Sequence, residues 1–325
     1  MTDNVSLLGI SNAIVDVLAH VDEEFLARIG APRGSMTLID EDRAHEIYAM
    51  MGPATEMSGG SVANSIAGFA NLGGSAAYIG QVRADQLGEI FVHDMQSLGV
   101  DIRLRPARFG SPTARCHVLI DQDGQRTMQT YLGACTELGV VDVNSDTVGN
   151  PDVILIEGYV WDIAEGPDLA AEAMRLARDA GSKVALSLSD SYCVERHRDA
   201  FHAAVRDGVD IVMADEDEIN ELLQTDNFEE TSRRLGDYGN LFAVTRSEQG
   251  SVIVHGEQVV VQAATAVASI VDTTGAGDAY TAGFLFGYTH GKSLEESARI
   301  GTFCATNVIQ QIGARIERGL LDSYS

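Results

Sequence analysis

The run Asp272-Thr273-Thr274-Gly275-Ala276-Gly277-Asp278 combines residue types that bind an anion with one that an anion repels. Glycines let a turn close tightly with unobstructed N–H groups, and the apolar run that follows, with Tyr280, Phe284, Leu285 and Tyr288 at helical spacing, predicts a buried helix. Bare N–H groups opening a helix form an anion site, because the first turn has unpaired donors and the helix dipole adds partial positive charge. A carboxylate there is costly beside a bound phosphate. Asp278 therefore points to chemistry: a base that accepts a proton from an attacking hydroxyl while the N–H groups of Gly275, Ala276 and Gly277 stabilise the transferred group. A helix N-terminus is expected to hold the Asp278 carboxyl below its ordinary range, and a weak base suffices where positioning and charge stabilisation dominate. An N-cap with a glycine turn is the plain structural alternative.

Further polar candidates follow apolar runs. Asn12 and Asp16 come after Val5-Ser6-Leu7-Leu8-Gly9-Ile10, near the end of a first strand, where α/β sheets bind ligands; turn and strand-edge solvation is the alternative. Gly59-Gly60 would let a polyol approach the backbone, with Ser61 next and Asn64 one helical turn further on. Tyr159, Trp161 and Tyr192 follow two later strands and serve either as packing or as apolar walls for a flat base. Asp215-Glu216-Asp217-Glu218 closes another strand as a dipole complement or a ligand set. Arg126 lies just past a turn, where a solvated arginine is common.

The elements that must position these groups are legible. Ala114–Ile120 and Gln125–Tyr131 alternate about Asp121-Gln122-Asp123-Gly124, a hairpin signature. After Pro151 the chain alternates strand and helix: Val153–Ile156, Leu169–Ala180, Lys183–Leu188, Asp210–Ala214 and Leu241–Thr245. The expectation is one α/β domain over residues 1–325, a doubly wound Rossmann-like central sheet with a small β-sheet lid from residues 12–40 and 101–132.

Composition narrows the partners. The chain has 325 residues, 45% of them hydrophobic, and a net charge of -26, which argues against nucleic acid and anionic membranes as partners. ATP remains compatible when magnesium and backbone N–H groups meet its charge. The four cysteines are scattered and suggest neither zinc nor disulfides but buried thiols in a reducing cytosol. Met1-Thr2-Asp3-Asn4 lacks the basic start of a signal peptide, so a cytoplasmic location is expected. The uncharged stretch Met57–Val82 is too rich in glycine, serine and asparagine for a membrane span. No Gly-x-x-x-x-Gly-Lys-Ser/Thr is present, and Gly275-x-Gly277-x-x-Tyr280 lacks the third glycine of a dinucleotide fingerprint and lies at the wrong end of the chain.

The two signatures, Gly59-Gly60 with Asn64 and Asp272 to Asp278 with its helix, resemble those of the PfkB-type ribokinase and adenosine kinase family. Ser61, where ribokinases usually carry lysine, matches the adenosine kinase branch. The resemblance implies an ATP-dependent kinase of ribokinase-type fold, with the 5′-OH of adenosine or another purine nucleoside as acceptor. A free sugar such as ribose or fructose is the alternative, and a catalytically weak nucleoside-binding protein a lower one. It implies that Asn12, Asp16, Gly59, Gly60, Ser61 and Asn64 contact the sugar, that Tyr159, Trp161 and Tyr192 flank the base, and that Arg126 reaches the transferring phosphate. Thr245, Ser247, Gly250 and Thr302 fall at ATP positions, with serine at 247 where the family has glycine. Glu218 falls near Mg2+ and its waters, beside Asp215 in place of the usual asparagine, and Asp272 and Thr274 fall at a K+ site. The implied partners are small molecules, and the implied state is monomer or homodimer.

Overall fold

Two β-sheets meet at an angle set by the chain's early departure from its first strand. The computed structural model describes residues 5–324, so Met1–Asn4, read above as lacking a targeting signal, lie outside the described residues. In chain order the strands are β1 (Leu7–Ile10), β2 (Ile14–His20), β3 (Met36–Leu38), β4 (Thr55–Gly59), β5 (Ala76–Ile79), β6 (Asp101–Ile102) and β7 (Ala114–Ile120). They continue as β8 (Arg126–Tyr131), β9 (Val153–Glu157), β10 (Lys183–Ser187), β11 (Ile211–Asp215), β12 (Leu241–Thr245), β13 (Ser251–His255) and β14 (Gln258–Gln262).

The large sheet runs β14-β13-β12-β11-β10-β9-β1-β5-β6, parallel from β12 to β6, with β13 and β14 antiparallel. From β1 the chain winds through β5 to β6 on one side, then returns to β9 on the other and proceeds to β12. This is the expected doubly wound arrangement, and its switch point lies between β1 and β9, where the carboxyl ends leave a crevice. Alternation divides the core. Leu7, Leu155, Ala185 and Met213 face the helices Ser61–Asn71, Ala276–Thr289 and Leu294–Val308, while Leu8, Ile154, Leu186 and Val212 pack with residues of Gly166–Ala180 and Ser191–Asp207. The Ser61–Asn71 helix lies so close over β1 that a Cβ at Gly9 would come within 2.5 Å of Ile66.

The second sheet has the order β3-β8-β7-β2-β4. It takes strands from both expected lid segments and adds β4, which leads directly into the Ser61–Asn71 helix; β6, inside the second expected segment, pairs with β5 of the large sheet instead. The hairpin forms as the sequence predicts, with Ile120 opposite Arg126 and the Asp121 carboxylate accepting the N–H groups of Asp123 and Gln125 at 2.9 and 3.0 Å. Met57–Val82 resolves into the end of β4, the Ser61–Asn71 helix and β5, and no described helix is long and apolar enough to cross a membrane.

Candidate active site

Asp278 stands in the first turn of the Ala276–Thr289 helix, which opens from Gly275 at φ +74°. That left-handed conformation suits glycine, and a Cβ there would lie 2.3 Å from the Ala314 side chain. Within the turn, the Ala276 N–H donates to the Thr273 carbonyl at 3.2 Å, so it is not the free donor that the sequence suggested. The N–H groups of Gly275 and Gly277 have no partner among the described residues.

The Asp278 carboxylate is held from the second signature. Ser61 Oγ donates to it at 2.7 Å and Asn64 Nδ2 at 3.0 Å. The sequence reading assigns both residues to sugar contacts; here they hold the Asp278 carboxylate. Its acidity also departs from expectation. Burial pushes the Asp278 carboxyl up to about 6, while the bonds from Ser61 and Asn64 and the charge of Arg315 act in the opposite direction. Desolvation is the largest influence on this carboxyl and outweighs the bonds from Ser61 and Asn64 and the charge of Arg315. A carboxyl raised in this way is a stronger proton acceptor than the motif alone implies.

Asp16 lies on the same face of β2 as Ile14 and Leu18, opposite Met57 and Cys116 on the neighbouring strands. Burial pushes its carboxyl up to about 6, opposed by the charges of Arg315 and Arg126 and supported by that of Asp278. The glycines of the first signature make room for it. A Cβ at Gly59 would fall 2.3 Å from the Asp16 carboxyl, and one at Gly60, at φ +94°, 2.8 Å from the Asn12 carbonyl. Asn12 is 4% exposed and its side-chain oxygen has no partner among the described residues, an orphaned acceptor beside the crevice.

A cavity of about 840 Å³ leads from Asp278 along the carboxyl end of the large sheet. Ser61, Gly277, Thr245, Ser247, Gly250 and Thr302 line it, as do Asp215 and Glu218, so the expected nucleotide positions converge on one space. Ser247 takes φ +47°, the left-handed region where the family has glycine. Asp215 and Glu218 form a capping box: the Asp215 side chain accepts the Glu218 N–H at 2.8 Å and the Glu218 carboxylate accepts the Asp215 N–H at 2.9 Å. Burial and the Asp215 charge push the Glu218 carboxyl up to about 8. Two carboxylates at the cavity wall, Glu218 buried and Asp215 exposed, with no cationic partner among the described residues, suit a hydrated divalent cation.

Three assignments change. Trp161 is 5% exposed and packs edge-on against Phe201 in the core, which leaves it no face for a base. Tyr192, 71% exposed, does not line the cavity, whereas Tyr159 is half-buried and its hydroxyl is bound to Asp190. Arg126 is paired with Asp272, not extended toward the turn's free N–H groups. Asp272 also accepts the N–H groups of Gly313 at 2.9 Å and Thr274 at 3.0 Å, so a guanidinium and two amides surround the carboxylate assigned to K+.

Two groups escaped the sequence reading. Glu157 ends β9 at the switch point, 1% exposed, and accepts the Asn12 N–H at 2.8 Å; nothing in its apolar strand marks it, although an acid closing a buried strand is itself a signal. Arg315 donates to the carbonyls of Ser58 and Ala63 and supplies positive charge felt by Asp16 and Asp278.

A half-buried carboxylate in the first turn of a helix, lining a nucleotide-sized cavity and within the field of a second carboxylate, belongs to an ATP-dependent kinase acting on a nucleoside or carbohydrate hydroxyl. The pattern of the pfkB family of carbohydrate kinases matches residues 40–318, and the chain belongs to that family. An uncharacterised sugar kinase of Archaeoglobus fulgidus is 30% identical over 76% of this chain and 96% of its own, and adenosine kinase 1 of Arabidopsis thaliana 25% identical over 94% of each. Among solved structures, the adenosine kinase of Sinorhizobium meliloti is similar at 47% identity, covering 98% of both chains with a TM-score of 0.91. A probable sugar kinase of Rhizobium etli is similar at 44% identity with the same score, over 98% of this chain and 97% of its own.

Proposed function

We propose that the protein transfers the γ-phosphoryl group of ATP to a primary hydroxyl of a nucleoside, foremost the 5′-OH of adenosine or another purine nucleoside. The observation that carries the transfer is Asp278, oriented by Ser61 and Asn64 at the wall of the cavity and close enough to Asp16 to feel its charge. Asp16 and Asn12 bind the acceptor's hydroxyls, Asp278 accepts the proton of the attacking hydroxyl, and the N–H groups of Gly275 and Gly277 stabilise charge on the phosphoryl oxygens. Mg2+ bound with ATP would neutralise phosphate charge, with Asp215 and Glu218 holding it through water. Arg126, released from Asp272, would meet the transferring phosphate and free that carboxylate, beside Thr274, for K+. The second sheet acts as the lid, excluding water that would otherwise compete as acceptor.

The nucleoside acceptor no longer rests on Trp161 or Tyr192. Its support is the likeness to the adenosine kinase of Sinorhizobium meliloti, together with the face of the second sheet beside Asp16. There Ile14, Leu18, Cys116, Val118, Ile120 and Met128 form an apolar patch suited to a flat base. The likeness to the probable sugar kinase of Rhizobium etli favours a free sugar as the second reading.

ADP release measured with adenosine, guanosine, inosine, ribose and fructose, with and without K+, tests both readings. Turnover on a nucleoside that Asp278→Asn abolishes supports the proposal. Turnover on ribose or fructose alone overturns the nucleoside acceptor but keeps the mechanism, and no turnover on any of them with nucleoside binding intact leaves the binding-protein reading.

A further inference from the structure

The Ser61–Asn71 helix starts at Gly60, whose side chain cannot cap it and whose φ of +94° bars the residues that could. The missing acceptor comes from another part of the chain. Glu157 Oε1 accepts the Val62 N–H at 3.4 Å and its Oε2 the Asn12 N–H at 2.8 Å. One buried carboxylate thus ties together β9, the β1–β2 turn and the helix. Each of the last two carries site residues: Asn12 on the turn, Ser61 and Asn64 on the helix.

We propose that Glu157 is a positioning residue for phosphoryl transfer, its two carboxylate oxygens fixing the backbone from which Ser61 and Asn64 orient Asp278 and from which Asn12 meets the acceptor. The inference rests on the kinase reading. The chemistry of the side chain supports it. A glutamine has one acceptor oxygen, and its NH2 group would confront the second N–H, so only an ionised carboxylate satisfies both donors. Keeping a charge 1% exposed with no cationic partner among the described residues is costly, and an apolar residue would be cheaper wherever packing alone mattered. Glu157 is also placed to respond to pH. Burial pushes its carboxyl up to about 7, with the Asp278 charge adding to the rise and the backbone donors opposing it. Tyr78, Cys135, Tyr159 and Cys193 are the other titratable groups that feel its charge. When the carboxyl gains a proton it loses one of its acceptor functions, and the clamp loosens.

The test compares Glu157→Gln, Asn64→Ala and the double variant. Glu157→Gln should lower kcat about tenfold to a hundredfold, the range expected when a reacting group is slightly misplaced, with KM for ATP within about twofold. The double variant should fall little below the more damaged single variant, because both act through Asp278. The acid limb of kcat against pH should change from a two-proton to a one-proton fall in Glu157→Gln. Unchanged kcat, or losses that multiply in the double variant, would overturn the proposal. Should Glu157→Gln not fold, Glu157→Asp keeps the charge but falls one methylene short, and full activity in that variant also overturns it. Hydrogen exchange at the amides of Asn12 and Val62 reads the clamp without any substrate. Faster exchange in Glu157→Gln supports the clamp even if every acceptor fails, and unchanged exchange rejects it whatever the enzyme phosphorylates.

Discussion

The proposed phosphate half of the site comes from one continuous run, Asp272 to Asp278, whereas the proposed acceptor half is assembled from β2, β4, β7 and β8, which stretch from Ile14 to Tyr131. In the first, residue types, turn and helix lie next to one another in sequence. In the second, Asp16 gains its surroundings only when β4 and β7 pair on either side of it. The two halves are joined by bonds across great separations in sequence, Ser61 and Asn64 to Asp278 and Arg126 to Asp272. The comparison teaches that a local motif can declare a catalytic group while its basicity and orientation are settled by distant elements.

Substitutions can break this division of labour. Asp278→Asn removes the base and should lower kcat about a thousandfold, with adenosine affinity within a few-fold by calorimetry; equal losses in both would place Asp278 in acceptor binding instead. Asp16→Asn acts on the other half and should raise the acceptor KM about tenfold to a hundredfold, leaving KM for ATP unchanged, as for a lost bond to a charged group. A fall confined to kcat would erase the distinction between the halves.

Asn64→Ala probes the link between them through the pH profile. Asp278 must be ionised to accept a proton, so activity falls as pH drops through about 6. The Asn64 bond lowers that carboxyl, hence its removal should move the acid limb to higher pH; an unmoved limb would detach Asn64 from the base. Smallest in its effect on turnover is the aromatic pair. Tyr192→Ala should leave the acceptor KM within about twofold. Trp161→Ala should cost about 3–5 kcal/mol of stability in urea unfolding, with KM unchanged in the folded protein. A large KM rise in either variant would restore it as a base wall.

These outcomes bear on what the sequence could reveal. The parallel strands and the Ala276–Thr289 helix are readable because periodicity and turn residues act over short distances. Trp161 was misplaced because a position after a strand locates a residue near the crevice without giving its direction, and the 3-10 turn Gly158–Asp162 carries the indole back to Phe201. Glu157 was missed because its partners lie 95 and 145 residues away, so the strand that bears it reads as apolar core with a polar end. The rise in Asp278 acidity range was invisible for a related reason: burial is a property of the assembled layers, not of the heptapeptide.

Asp16, Asp278, Glu157 and Glu218 all ionise later in the fold than the 3.8 or 4.5 of a free carboxyl, at about 6, 6, 7 and 8. Their contribution to stability is complete below those ordinary values and is lost as pH rises through the folded ones. The cleft is therefore a proton store that empties over the same interval in which Asp278 becomes a base, and the form competent for chemistry is the less stable one. A ligand that brings positive charge into the cleft drives the remaining protons out, so association couples to buffer ionisation and acquires a pH-dependent heat.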